Sequence, residues 1–206
     1  MAKERFLGSA YDSRTQEETR DFYDRWAEVY DEELTENEYQ QPLRCAQALV
    51  SHLPDRRQRV LDVGCGTGLS GLALAQAGFT HVDGCDFSTG MLEKAFRRGV
   101  YSKVFRADLN QPPIDAREGE YGALTAVGIF SYGHVAPAAL DEFLRLTAPG
   151  APIVIGLNDH FFQEGSLTAR IDTLAADGRL QRVSQAHGDH IRGTGLTGWV
   201  IVLRKV

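Results

Sequence analysis

The chain has 206 residues, 43% apolar and 24% charged, the make-up of a soluble globular protein with material for one sizeable core. Its formal net charge is −6 and no basic stripe is set aside for phosphates, which argues against a nucleic-acid substrate. No window approaches the ~18 apolar residues of a membrane span, and the first ten residues hold no apolar signal core. Cys45, Cys65 and Cys85 fit neither a disulfide framework nor a metal knuckle, so no metal, no membrane and a reducing cytoplasmic home are expected.

The charge is unevenly placed. Between Glu17 and Glu38 stand ten carboxylates and two arginines, a local −8 that leaves the rest of the chain near neutral. A solvated helix face is the preferred reading of this run, and a rim that attracts a cationic substrate is the alternative. From Glu17 onward Phe22, Trp26, Val29 and Tyr30 recur at helical spacing, which predicts an amphipathic helix. Pro42 opens a second helix, "PLRCAQALVSHL".

From there strands alternate with helices. "RVLDVG" reads as a buried strand, "LSGLALAQAG" as a helix closed by Gly78, and "HVDGCD" as the next strand. "STGMLEKAFRRG" is a helix with Ser88 as N-cap and Gly99 past its end, followed by the strand "KVFRAD". "YGALTAVG" is a strand, "PAALDEFLRLTAPG" a helix, "APIVIGLN" a strand and "SLTARIDTLAADG" a helix. "LQRVSQAHGDHI" and "GWVIVLRKV" end the chain as an antiparallel hairpin. The expected fold is α/β: a doubly wound, mostly parallel seven-stranded sheet over residues 56–206, with a helical extension over residues 1–55.

The stretch Val60 to Gly71, "VLDVGCGTGLSG", places four glycines between a strand and the start of a helix. In a doubly wound sheet ligands bind outside the carboxyl ends of the strands, beside such a turn. Two readings compete. Gly66, Gly68 and Gly71 satisfy G-x-G-x-x-G, with Asp86 twenty residues past Gly66 where a dinucleotide's ribose carboxylate belongs. Alternatively, Asp62 with Gly64, Gly66 and Gly68 gives D-x-G-x-G-x-G, which resembles the S-adenosylmethionine (SAM) loop of class I methyltransferases. The strand ends at Asp62-Val63, so the dinucleotide match begins late. Asp62 would repel a pyrophosphate but suits a cationic sulfonium. "FSTGML" after Asp86 looks like the family's D-x-S-x-x-M-L, and "ADL" at Ala107 to Leu109 falls where its adenine-binding Asp sits. The methyltransferase reading is preferred, and Gly71 is then helix–sheet packing. "FYDRWAEVYDEELTENEYQQP" and "GIFSYGHVAPAALDEFLRLTAPGAPIVI" extend the likeness over about residues 20–165 to the methyltransferase-like group named after the Williams–Beuren chromosomal region.

The resemblance implies a set of roles. Gly64, Cys65, Gly66 and Gly68 would cradle the methionine part of SAM, with Asp62 nearby. Asp86 would accept from both ribose hydroxyls, and Phe87 or Met91 would cover the adenine. Asp108 would accept from the adenine amino group, with the Leu109 N–H facing the ring. Gly128 would approach the amino-acid end. Asp108 has an alternative as a turn cap, and Met91 as core. Tyr23, Tyr30 and Tyr39 are candidates to touch SAM if the N-terminal stripe closes as a lid, although docking on the sheet explains that stripe as well.

The fourth- and fifth-strand ends nominate Ser131, Tyr132, His134, Asn158, Asp159 and His160 as acceptor-side groups. His134 reads equally as a general base or as a cap for the following helix. Phe161 and Phe162 read as packing for the next helix in preference to an acceptor wall. No Asn-Pro-Pro-Tyr element follows the fourth strand, so a small-molecule acceptor is preferred, with protein side chains behind it. The expected reaction is in-line methyl transfer that releases S-adenosyl-L-homocysteine (SAH). The rivals are an NAD-dependent oxidoreductase and a SAM-binding protein without catalysis.

Overall fold

In the computed structural model, residues 6–7, 16–130 and 135–206 are described. The strands are β1 (Val60–Val63), β2 (Val82–Asp86), β3 (Lys103–Arg106), β4 (Ala123–Val127), β5 (Pro152–Asn158), β6 (Leu180–Ile191) and β7 (Leu196–Lys205). They form a seven-stranded sheet in the order β3-β2-β1-β4-β5-β7-β6. β1 to β5 are parallel, and β7 joins β5 antiparallel with β6 at the edge. Every residue of β1, β2 and β5 is buried, the signature of strands covered on both faces.

The helices are α1 (Gln16–Trp26), α2 (Tyr30–Glu36), α3 (Gln41–His52), α4 (Leu69–Gln76), α5 (Thr89–Arg98), α6 (Ala139–Leu146), α7 (Asp159–Glu164) and α8 (Ser166–Ala176). On one face Cys45 and Leu49 of α3 and Leu74 of α4 meet Val60, Val154 and Val200 of the sheet. On the other, Leu140 and Phe143 of α6 and Ile171 and Leu174 of α8 meet Leu61, Leu124, Ile155 and Leu203. Ser88 caps α5 by accepting from Met91 N–H at 3.1 Å, and Gly99 ends it at φ +68°, as the sequence predicts.

Two elements differ from expectation. The helix predicted through Tyr30 is two helices, broken over Ala27–Val29, with Trp26 and Tyr30 packed at 4.6 Å across the break. Periodicity alone does not show this break, because one apolar stripe runs on through both helices. The second is α7, six residues long, which the sequence reading passes over. Asn158 caps it by accepting from Phe161 N–H at 2.9 Å, and Gly165 closes it at φ +87°. An Asn before a short helix and a Gly after it were the available signals.

The strand order reverses between β1 and β4, which run on either side of the first glycine turn. Ligands gather at such a switch point.

Candidate functional site

A cleft opens at this point, above the carboxyl ends of β1, β2 and β4. Gly64 and Gly66 supply its floor, Asp86, Phe87 and Met91 one wall, and Asp108, Leu109 and Gly128 another. Tyr23 and Tyr30 close over it from α1 and α2. Of the residues proposed from the sequence, Tyr30, Gly64, Gly66, Asp86, Phe87, Met91, Asp108, Leu109 and Gly128 converge here. Asp62, Cys65 and Gly68 do not line the cleft. Ala107, Asn110, Val127, Ile129 and Val135 complete the lining without a sequence signal, since each is an apolar wall or a backbone neighbour of a nominated residue.

The glycines have separate tasks. Gly64 sits at φ +63°, and a Cβ there would stand 2.2 Å from Ile129 Cγ2, so its smallness lets the β4 end close against the loop. Gly66, at φ +55°, has no atom within 4 Å of where its Cβ would be; its bare face is the one that opens. Gly68 and Gly71 lie under Tyr101, whose ring a Cβ on Gly71 would overlap at 2.2 Å. Gly71 is thus packing, as the sequence reading has it.

Asp62 is the carboxylate expected beside a cationic ligand, and the structure turns it away from the cleft. It is fully buried and accepts from Ser70 Oγ at 2.5 Å, Tyr101 Oη at 2.8 Å and Thr125 Oγ1 at 2.8 Å. Burial pushes its pKa upward, against the pull of these three hydroxyls. Its acceptor positions serve the loop. Cys65 is likewise turned inward, packed with Leu92 and Ala95, and burial holds its thiol well above the usual range.

Asp86, at the end of β2, is the counterpart that faces the cleft. Oδ2 accepts from Gly66 N–H at 3.0 Å and Oδ1 from Ser88 N–H at 2.9 Å. Burial raises its pKa to about 6, in spite of these backbone donors. The remaining lone pairs of this carboxylate are directed at a lined space with apolar walls. A ligand with a diol, a flat apolar ring and a chain end fits that set: the carboxylate for hydroxyls, Phe87, Met91, Leu109 and Ile129 for the ring, and the bare Gly66 for close approach.

The Asp108 carboxylate accepts from Asn110 N–H and from Gln111 Nε2, both at 2.9 Å, so it does cap a turn while lining the cleft. Met91 is 1% exposed, core and cleft wall at once. Tyr39 reaches the rim: its hydroxyl lies 2.9 Å from where a Cβ on Gly128 would be. On the acceptor side, Ser131, Tyr132 and His134 lie outside the described residues. Asn158 is spent on the α7 cap, Asp159 bonds His187 Nε2 at 3.0 Å, and His160 is exposed. Phe161 stacks on Phe130 at 6.3 Å and Phe162 on Trp199 at 4.5 Å, which is packing as expected. Among the described residues no group of three or more His, Cys, Asp or Glu is placed to hold a metal ion, and no helix is long and apolar enough to cross a membrane.

The sequence and the fold have counterparts in known proteins. The family profile described as "Methyltransferase domain" matches residues 60–150, the segment from β1 to just before β5. Methyltransferase-like protein 27 of Homo sapiens is 38% identical over 136 residues, covering 65% of this chain and 55% of that protein. Demethylmenaquinone methyltransferase of Clavibacter sepedonicus is 39% identical over 109 residues, 50% of this chain and 42% of that protein. The chain thus spans about half the length of the curated relatives it matches. Shorter stretches are similar to 18S rRNA (guanine-N(7))-methyltransferases. Among solved structures, the N-methyltransferase NodS of Bradyrhizobium japonicum in complex with SAH shares the fold. It superposes with a TM-score of 0.58 at 18% identity over 79% of this chain and 85% of that one. The dinucleotide reading of the glycine turn gives way to these findings.

Proposed function

We propose that this chain, whose residues 60–150 match a methyltransferase domain, is a SAM-dependent methyltransferase that moves a methyl group from SAM to a small-molecule acceptor. The observation that carries the proposal is the convergence of Gly66, Asp86, Leu109 and Gly128, far apart in sequence, on one cleft at the switch point.

SAM, when bound, brings a methyl group on a sulfonium, already a good leaving group. The protein's part is to bind, orient and exclude water. Asp86 would accept from the ribose hydroxyls while Gly66 and Ser88 N–H hold its two oxygens in place. Phe87, Met91 and Leu109 would enclose the adenine. Tyr23 and Tyr30 would shield the reacting end from solvent. The buried Asp62 would keep the loop beneath in shape. His134 would deprotonate the acceptor if the attacking atom carries a proton at neutral pH.

A small acceptor is favoured by the absence of a basic stripe in the sequence and by the likeness to a demethylmenaquinone methyltransferase. Thermal shift with SAM, SAH and NAD tests the cofactor: SAM and SAH should raise the melting temperature, and stabilisation by NAD alone would end this reading. Methyl-labelled SAM incubated with cell extract, split into small molecules, protein and RNA, tests the acceptor. Label should enter the small-molecule fraction; label in RNA would reassign the acceptor, and none in any fraction would favour a non-catalytic binder.

A further inference from the structure

The acidic segment between Glu17 and Glu38 does more than face water. Glu28 fits the solvated reading, since it is exposed and 3.7 Å from Lys94. Asp24 and Asp31 do not. Asp24 accepts from Ser88 Oγ and, at 3.3 Å, from Gly90 N–H. Asp31 accepts from Thr67 Oγ1 at 2.5 Å and pairs with Arg98, whose Nε donates to Thr67 O at 2.9 Å. Thr67 lies in the glycine turn and Ser88 in the loop after Asp86; both are buried. Each of these two cleft loops is therefore fastened to the N-terminal helices by one carboxylate.

The two aspartates also share a sequence context. Each directly follows a tyrosine that lines the cleft, in the pairs Tyr23-Asp24 on α1 and Tyr30-Asp31 on α2, seven residues apart across the break between the two helices. The tyrosine faces the space and its neighbour ties down the loop. Asp24 acts through a relay. It takes the single proton of the Ser88 hydroxyl, so that this oxygen's lone pairs are left to accept from Met91 N–H at 3.1 Å. The Ser88 N–H meanwhile donates to Asp86. Asp31 acts through Thr67 and Arg98 on the turn that carries Gly66.

We propose that Asp24 and Asp31 are positioning residues for cofactor binding, each setting one cofactor loop and one cleft tyrosine in a single act. The SAH arm of its test rests on the function proposed above; the fastening itself does not. Neither carboxylate lines the cleft, so their effect on binding passes through the loops.

The test compares Asp24→Ala, Asp31→Ala, Asp24→Asn and Asp31→Asn in the full chain. Each alanine variant should raise the SAH dissociation constant about tenfold by calorimetry. Asp24→Asn should return to within threefold of wild type, because its amide oxygen still accepts from neutral donors. Asp31→Asn should not, because Arg98 requires a charge. Hydrogen exchange without ligand gives an independent reading. The alanine variants should speed exchange about tenfold in residues 67–71 (Asp31) or 88–92 (Asp24), with the remaining sheet amides unchanged. SAH affinities within twofold of wild type in both alanine variants would overturn the proposal. So would exchange that rises uniformly across the sheet, which marks a merely structural loss. A wild-type protein that fails to bind SAH would overturn the methyltransferase reading, and the ligand-free exchange would then decide the fastening alone.

Discussion

Two aspartates stand near the carboxyl ends of adjacent parallel strands, Asp62 one residue before the end of β1 and Asp86 at the end of β2, and burial raises the pKa of both. Their partners set them apart. Asp62 is enclosed by the hydroxyls of Ser70, Tyr101 and Thr125, which come from α4, the segment before β3, and β4. Asp86 has backbone donors from Gly66 and Ser88, and an open cleft in front. Side-chain hydroxyls from three elements make a closed knot that holds the sheet ends together. Backbone donors on one side leave lone pairs for an incoming ligand. The same residue type becomes scaffold or site according to what its neighbours leave unfilled.

The largest expected effect breaks the scaffold half of this pair. Asp62→Ala leaves three hydroxyls without their acceptor, and one or more of them stays buried and unpaired. The cost should be about 3 kcal/mol of unfolding free energy, read by urea denaturation without ligand. A loss under 1 kcal/mol would mean the knot is not formed. Asp86→Ala tests the site half. It should weaken SAH binding by roughly 1–3 kcal/mol, the usual cost of ligand hydroxyls left unpaired. Unchanged affinity would place the ribose elsewhere.

The pH dependence sharpens the contrast further. The Asp86 pKa of about 6 in the folded protein exceeds the ~3.9 of an unfolded chain, so the native state binds this proton more tightly. Its contribution to stability is therefore fully present below pH ~4 and is lost as pH rises through about 6. Ligand hydroxyls favour the ionised form, so SAH affinity should fall as pH drops below about 6, approaching tenfold per unit. Stability and affinity thus move in opposite directions between pH 7 and pH 5. Asp86→Asn should remove both trends; an affinity profile that stays wild-type in shape would assign the titration to another group.

This contrast also marks what the sequence could disclose. Strand–helix alternation with Gly and Ser caps gives the doubly wound sheet, because those signals are local. Asp86, Leu109 and Gly128 are legible because position at a strand end determines which way a residue faces. The orientation of Asp62 is not legible. It depends on Ser70, Tyr101 and Thr125 arriving from three other elements, and Tyr101 carries no motif of its own. The break between α1 and α2 was hidden for a similar reason, since its aromatic stripe continues across a turn. Asp24 and Asp31 were submerged in a run of carboxylates whose charge says nothing of which ones reach the cleft loops.

The smallest effect isolates one strand of the knot. The Tyr101 hydroxyl donates to Asp62 at 2.8 Å and accepts from Gly71 N–H at 3.1 Å. Gly71 is the third residue of α4, where a helix N–H has no partner within the helix, and Gly68 before the helix offers no side-chain cap. Tyr101 thus supplies from outside the capping that a Ser or Asp would give from within. Tyr101→Phe keeps the ring that packs over Gly68 and Gly71 and removes only the hydroxyl. The expected loss is about 1 kcal/mol, a fall of roughly 2–4 °C in melting temperature for a domain of this size. SAH affinity should stay within twofold, because Ser70 and Thr125 still hold Asp62 and the cleft face of the loop is untouched. A variant that melts as wild type but binds tenfold more weakly would put Tyr101 on the site side of the boundary, and Asp62 with it.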